Sequence, residues 1–232
     1  MRTLRVLAAG VTLLAAAFGC GLFDTGFTFS TDPQSFTIDS AALGLTVPSG
    51  TTIPAVPCTT ATDVCAQATS QLSCTGQTYG CKIACKGTSC GVSATAEFAV
   101  PVDVSGKIKN NTQASVLSKV TLQRVALKVS ENSLTFKTPT IDVFVGPGTA
   151  TKSTDAGVVK LGTIPAIDPR TTSSIESIET TQEGRDKLSE LIRNYTVPFK
   201  MLAKASLGFA GGDPIPNGRF SFEVIAYLEV NP

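Results

Sequence analysis

The chain is expected to fold mainly as an antiparallel β-sandwich, and three features of its sequence say so. Roughly eight or nine segments alternate apolar and polar residues with the period of a half-buried strand. Clusters of Gly, Pro, Asp and Asn separate these segments. Helical periodicity occurs in one stretch only, whereas a parallel sheet needs a helix at each crossover. The strand pattern suits an immunoglobulin-like or jelly-roll-like sandwich, with one short helix and a disulfide-rich segment added to it. An up-and-down barrel with a lipid-filled interior is the alternative.

The N-terminus sets the compartment. Arg2 and Arg5 precede an uncharged run from Val6 to Phe18, the basic start and short apolar core of a secretory signal. That run is shorter than the ~20 residues a membrane-spanning helix requires. Ala17-Phe18-Gly19-Cys20 then resembles the lipobox of bacterial lipoprotein precursors. The resemblance implies that residues 1–19 are removed, that the Cys20 thiol carries a diacylglycerol, and that the new amino terminus is acylated, typically with palmitate. In the lipoproteins of enteric bacteria an Asp directly after the cysteine retains the protein in the inner membrane. Gly21 holds that position here, so the resemblance implies the outer membrane of a Gram-negative cell envelope.

Composition excludes several function classes. The 19 Lys and Arg residues less Arg2 and Arg5 leave 17, against 18 Asp and Glu. A near-neutral surface gives no electrostatic reason to expect nucleic acid as a partner. Histidine is absent, which excludes Ser-His and Cys-His catalysis and His-bearing zinc sites. Ser118-Lys119 are adjacent on a strand and point to opposite faces. Lys204 and Ser206, like the carboxylates Glu176 and Glu179, have no cleft that sequence assigns. The reading is therefore non-catalytic and without a cofactor.

The mature chain divides into residues 20–48 (anchor, tether and first strands), 49–91 (a cysteine-rich insert) and 92–232 (the main body). Phe27 to Phe29 and Phe36 to Ile38 alternate, with a turn at Asp32-Pro33, and one bent strand or two short ones fill 35–47. Cys58, Cys65, Cys74, Cys81, Cys85 and Cys90 follow among small polar neighbours that cannot build a core of their own. Behind a secretory signal, six cysteines read as three disulfides of open pairing. Metal binding is the weaker reading, because no C-x-x-C knuckle and no His is present. Tyr79, Lys82, Ile83 and Lys86 are the contact-like side chains of this segment.

In the main body, Ala96 to Val104 forms a strand in which Pro101 demands an edge or a bulge. Lys107 to Thr112 reads as a polar turn. Val120 and Leu122, then Val125, Leu127 and Val129, alternate with a slip of one residue, which places a bulge near Gln123-Arg124. After a turn at Glu131 to Ser133, Leu134 to Lys137 starts the return, and Ile141 to Val145 is apolar enough for a central strand. Val158 to Ile164 and Ile175 to Ile178 add two more. Thr181 caps the one helix, whose stripe is Leu188, Leu191, Ile192 and Tyr195. Val197 to Phe209 and Phe220 to Val230 alternate and are expected to pair as a hairpin across a long loop.

These features imply a lipid-anchored envelope protein acting as a non-catalytic binding, adhesion or structural module. Its membrane contact is the lipid on Cys20, and its partner an envelope protein or polysaccharide. The alternative is a carrier, with small residues such as Ala203, Ala205 and Ala226 leaving room for an apolar ligand.

Overall fold

In the computed structural model, residues 26–46, 52–58, 65, 73–74, 79–111 and 117–231 are described. The expected signal and lipobox therefore lie outside the described residues. Alternating segments become strands β1 (Phe27–Ser30), β2 (Gln34–Asp39), β3 (Leu45–Thr46), β4 (Ser73–Cys74), β5 (Lys82–Lys86), β6 (Ser89–Val102), β7 (Lys119–Asn132), β8 (Ile141–Pro147), β9 (Val159–Ile164), β10 (Glu179–Thr180), β11 (Phe199–Phe209) and β12 (Arg219–Asn231). Helices α1 (Ser105–Asn111) and α2 (Gln182–Arg193) join them.

Two antiparallel sheets face each other, as the patterning predicts. In one, β12 is central, with β7 along one side and β2 and β1 in succession along the other. Asp32-Pro33 does not reverse the chain; it kinks a single edge strand. The Thr31 amide donates to the Ala226 carbonyl (2.9 Å) and the Ala226 amide to Thr31 Oγ1 (3.1 Å), so the ladder continues through the kink. The second sheet runs β10-β9-β8-β11-β6-β5. Between the sheets lie Phe36, Phe220, Phe222, Val224 and Leu228 from the first and Ala96, Val143, Met201, Ala203 and Ala205 from the second, all buried.

The bulge near Gln123-Arg124 is present. Tyr227 pairs with Arg124 and Leu228 with Leu122, leaving Gln123 as the extra residue. Pro101 sits where β6 has β11 on one side and, among the described residues, no strand on the other, since β5 reaches only to Ser93. Ile141 to Val145 is central, between β9 and β11. Ile175 and Ile178 bond to Leu127 and Val125 of β7 (2.8 Å each), and β10 then pairs with β9, so the 175–180 strap crosses from one sheet to the other and closes that side.

Three further expectations need correction. β11 and β12 are not a hairpin: they lie in opposite sheets, joined by an arch over residues 210–218. Residues 134–137 form no strand. Lys107 to Asn111 belong to α1, a helix that apolar periodicity could not announce because Ile108 is its one buried residue. Asp103 accepts from the Ser105 amide at its start (2.8 Å), and Lys107 reaches Asp32 (2.7 Å) and the Ser30 carbonyl (2.8 Å).

α2 begins as expected, with Thr181 Oγ1 accepting from the Gly184 amide (2.9 Å), and buries Leu188 and Ile192 against β7, β8 and β9. Gly184 is required by closeness. A Cβ there would meet the Lys160 carbonyl oxygen and stand 2.5 Å from Leu161 Cα. Gly184→Ala, which normally stabilises a helix interior by about 1 kcal/mol, is instead expected to destabilise the protein by about 1–3 kcal/mol, read as a lower urea midpoint.

Candidate functional site

The cysteines organise one end of the sandwich. β5 and β6 form a hairpin in which Cys85 stands opposite Cys90, yet the two do not bond to each other. Cys58 bridges to Cys85 and Cys65 to Cys90. Cys81 is disulfide-bonded as well, while the Cys74 side chain lies outside the described residues. The sulfurs of Cys58, Cys65 and Cys90 gather within 4.8 Å in a buried cluster. These sulfurs are spent on bridges, so they do not stand as thiolates for a metal.

Main-chain bonds lace the preceding segment into the same end. The Cys58 amide donates to the Thr88 carbonyl (3.1 Å) and the Cys90 amide to the Val56 carbonyl (2.8 Å). The Ile53 amide donates to the Asp213 carbonyl (2.8 Å), and the Gly212 amide returns a bond to Ile53 (2.8 Å). Residues 52–58 thus run between the hairpin and the 210–214 arch, with Ile53 buried. The division proposed at residue 91 falls inside β6, so the last cysteine, Cys90, belongs to a main-sheet strand.

The four contact candidates separate. Lys82 and Lys86 are exposed, on the same face of β5 as Ala84. Ile83 is half-buried and packs against the core and the disulfide cluster. Tyr79 is a correction: it is buried at 3% exposure, its ring edge-on to Phe98 (6.0 Å), its hydroxyl accepting from the Asp39 amide (3.0 Å). That ring is a pillar under the surface and makes no contact beyond it.

Two open clefts flank the hairpin end. One, of about 520 Å³, is lined by Lys86, Phe136, Lys137, Pro139, Ser206 and Phe209 among others. The other, of about 740 Å³, lies between the 39–45 turn and the arch, with Asp39, Glu131, Ser133, Asn217 and Arg219 on its walls. No local signal ties Phe136, Lys137 or Ser206 to Lys86; only the topology brings them together.

In the larger cleft Asp39 accepts from the Ala41 amide (3.0 Å) and from Arg219 (3.0 Å). The amide first, then the guanidinium, hold its carboxyl below the usual aspartate range. A depressed folded value means that its stabilisation is present above the unfolded value of about 3.9 and is lost as pH falls through the folded one. Asp39→Asn should therefore flatten the loss of stability below about pH 4 in acid titrations followed by circular dichroism.

The Ser/Lys and carboxylate residues singled out earlier hold loops in place. Lys204 donates to Ser153 Oγ (3.2 Å), whose amide bonds Glu97, and this pins the 148–157 loop on β6 and β11. Ser118 donates to the Asn231 carbonyl (3.2 Å), and Glu176 pairs with Arg124 (2.6 Å), which stacks on Tyr227 (4.0 Å).

The two ends of the sandwich differ. Phe27 pairs with Val230, so the chain enters from residue 26 at the C-terminal end of β12. Asp39 pairs with Arg219 at the other end, beside the arch and the disulfides. The 13 residues of β12 separate the two by about 40 Å at roughly 3.3 Å per residue. Among the described residues no helix is long and apolar enough to cross a membrane. The chain matches no protein-family model, and no curated protein is significantly similar to it.

Proposed function

We propose that the protein is a lipid-tethered component of the bacterial cell envelope that presents its disulfide-stapled end, directed away from the membrane, as a non-catalytic contact surface. The observation that carries this reading is the placement of that end. A tether leaving residue 26 beside Asn231 would leave the opposite pole, with Lys82, Lys86 and the two clefts, about 40 Å from that entry point. Disulfides and main-chain lacing keep the loops of that pole in one shape, which lowers the ordering cost of binding.

The test is made in cells. Cys20→Ala is expected to move the protein from the membrane to the soluble fraction, since one protein-borne lipid anchor is all that the reading supplies. A photo-crosslinking residue at Lys82 should trap a partner, and the same residue at Arg193 on α2 should not. Membrane retention by the Cys20→Ala protein, or crosslinks from Arg193 alone, would overturn the proposal.

The carrier reading gains no support from the core. Ala203, Ala205 and Ala226 are 0–1% exposed, so no water-sized space adjoins them, and close packing of the sheets accounts for their size.

A further inference from the structure

β11 loses one neighbour before it ends. β6 accompanies it to Phe209, but β8 leaves it after the pair Ala205–Ile141. Pro101 tells which way the main chain of β11 faces. It lies opposite Lys200 and has no N–H, so that pair does not exchange two hydrogen bonds. Alternation along an unbroken ladder then turns the main-chain groups of Phe199 through Phe209, at odd positions, toward β6. The Phe209 carbonyl accordingly points at Gly91, standing 2.7 Å from where a Cβ would be. Those of the even positions face the β8 side, so Ser206 and Gly208 present two N–H and two C=O groups to a side that holds no strand among the described residues.

The space on that side is the 520 Å³ cleft. Its far wall, residues 136–139, is held away from β11 by Ile167: the Thr138 amide donates to the Ile167 carbonyl (2.9 Å), and the Ile167 amide donates to Thr138 Oγ1 (2.8 Å). Phe136 meets Phe209 edge-on at 5.1 Å and makes the inner side apolar together with Leu207. On the outer side, Lys86 Nζ stands 3.0 Å from the Cβ position of Gly208. Lys137 is shared with Asp168 (2.9 Å), while Lys86 has no acidic partner among the described residues, and no carboxylate lines the cleft.

We propose that the Ser206–Phe209 edge accepts a further β-strand, an extended peptide segment of a partner protein in which apolar and acidic residues alternate. Its main chain bonds Ser206 and Gly208, its apolar side chains face Phe136, Leu207 and Phe209, and its acidic ones face Lys86. The inference rests on the membrane-distal contact reading and names the chemistry of its partner. A polysaccharide lacks the alternating amides that this edge requires.

The test uses the oxidised mature chain and the capped peptide acetyl-Val-Glu-Val-Glu-Val-Glu-Val-amide, followed by NMR. Saturable shifts are expected at Ser206, Gly208 and residues 136–139. N-methylation along one edge of the peptide should weaken binding at least about tenfold and along the other edge leave it intact. Replacing Glu by Lys in the peptide should abolish it. Gly208→Pro removes an amide on the open side, where proline is tolerated, and should weaken binding comparably, whereas Gly208→Ala, which crowds Lys86 Nζ equally but keeps the amide, should not. Absence of shifts, or binding indifferent to N-methylation, overturns strand addition. In cells, a Lys82 crosslink that survives Gly208→Pro overturns strand addition while the contact reading stands; no Lys82 crosslink in either protein overturns the contact reading itself. Dimers of the unliganded protein that Gly208→Pro dissolves would assign the edge to a second copy and overturn a separate partner.

Discussion

Replacing Cys65 and Cys90 together by Ala is expected to destabilise the cysteine-rich end by about 3–4 kcal/mol while the sandwich beneath stays folded. The bridge spans a sequence separation of 25 residues, and closing a loop of that length removes roughly this much free energy from the unfolded ensemble. Little else compensates. Ile53 and the half-buried Ile83 are the large apolar side chains that segments 52–58 and 82–90 bring to the core, and the lacing of 52–58 depends on main-chain bonds at Cys58, Cys90 and Ile53. Hydrogen exchange checks the prediction: the Ile53 and Cys58 amides should exchange faster in the variant, while those of β7 and β12 remain protected. Equal acceleration everywhere would mean that the staples and the sandwich form one cooperative unit. With Cys81 bonded as well, three bridges should make the oxidised chain lighter than the reduced one by two hydrogens each, six in all.

Period-two alternation reveals which face of a strand is buried, and this made the sheets legible from sequence. Phe220 to Val230 reads as a strand with its even-numbered residues inward, and Phe220, Phe222, Val224 and Leu228 are buried. The slip at Gln123 was legible for the same reason, because one extra residue is the only way to keep both halves of β7 facing inward. Alternation does not name neighbours. β11 and β12 carry the same pattern and adjoin in sequence, yet the Pro-containing arch sends them to opposite sheets. α1 was invisible because it touches the core through Ile108 alone, its position set by Asp103 and Lys107.

The candidate site was half legible. Six cysteines among small polar neighbours announce staples whose pairing waits on the topology, since Cys85 and Cys90 face each other across the hairpin but bond to Cys58 and Cys65. Tyr79 misled because an aromatic residue among small polar ones suggests a surface anchor. Its hydroxyl instead satisfies the Asp39 amide, which frees the ring to pack on Phe98. The open edge of β11 lies beyond local pattern altogether, because it exists where β8 stops and not where β11 does.

Phe222→Ala should cost about 3–5 kcal/mol, the range for deleting a buried phenylalanine. The ring is 1% exposed, stacks on Phe36 at 5.3 Å and tilts against Phe220 at 5.2 Å. Phe36 in turn meets Phe98 of the opposite sheet edge-on at 6.4 Å, so this pair is where β2 and β12 grip β6. Urea unfolding followed by circular dichroism checks the size, with the midpoint lowered at an unchanged slope; Phe222→Leu should fall between. The variant also bears on function. An apolar cavity opened here should stay dry and take up a small apolar molecule such as benzene, whereas the native core, with Ala203, Ala205 and Ala226 closed over by their neighbours, should take up none. Uptake by the native protein as strong as by the variant would revive the carrier reading, because it would require a space that the packed core does not contain. Uptake by the variant alone leaves the carrier reading without a space to act in, and the proposed contact surface at the stapled end as the reading still to be tested.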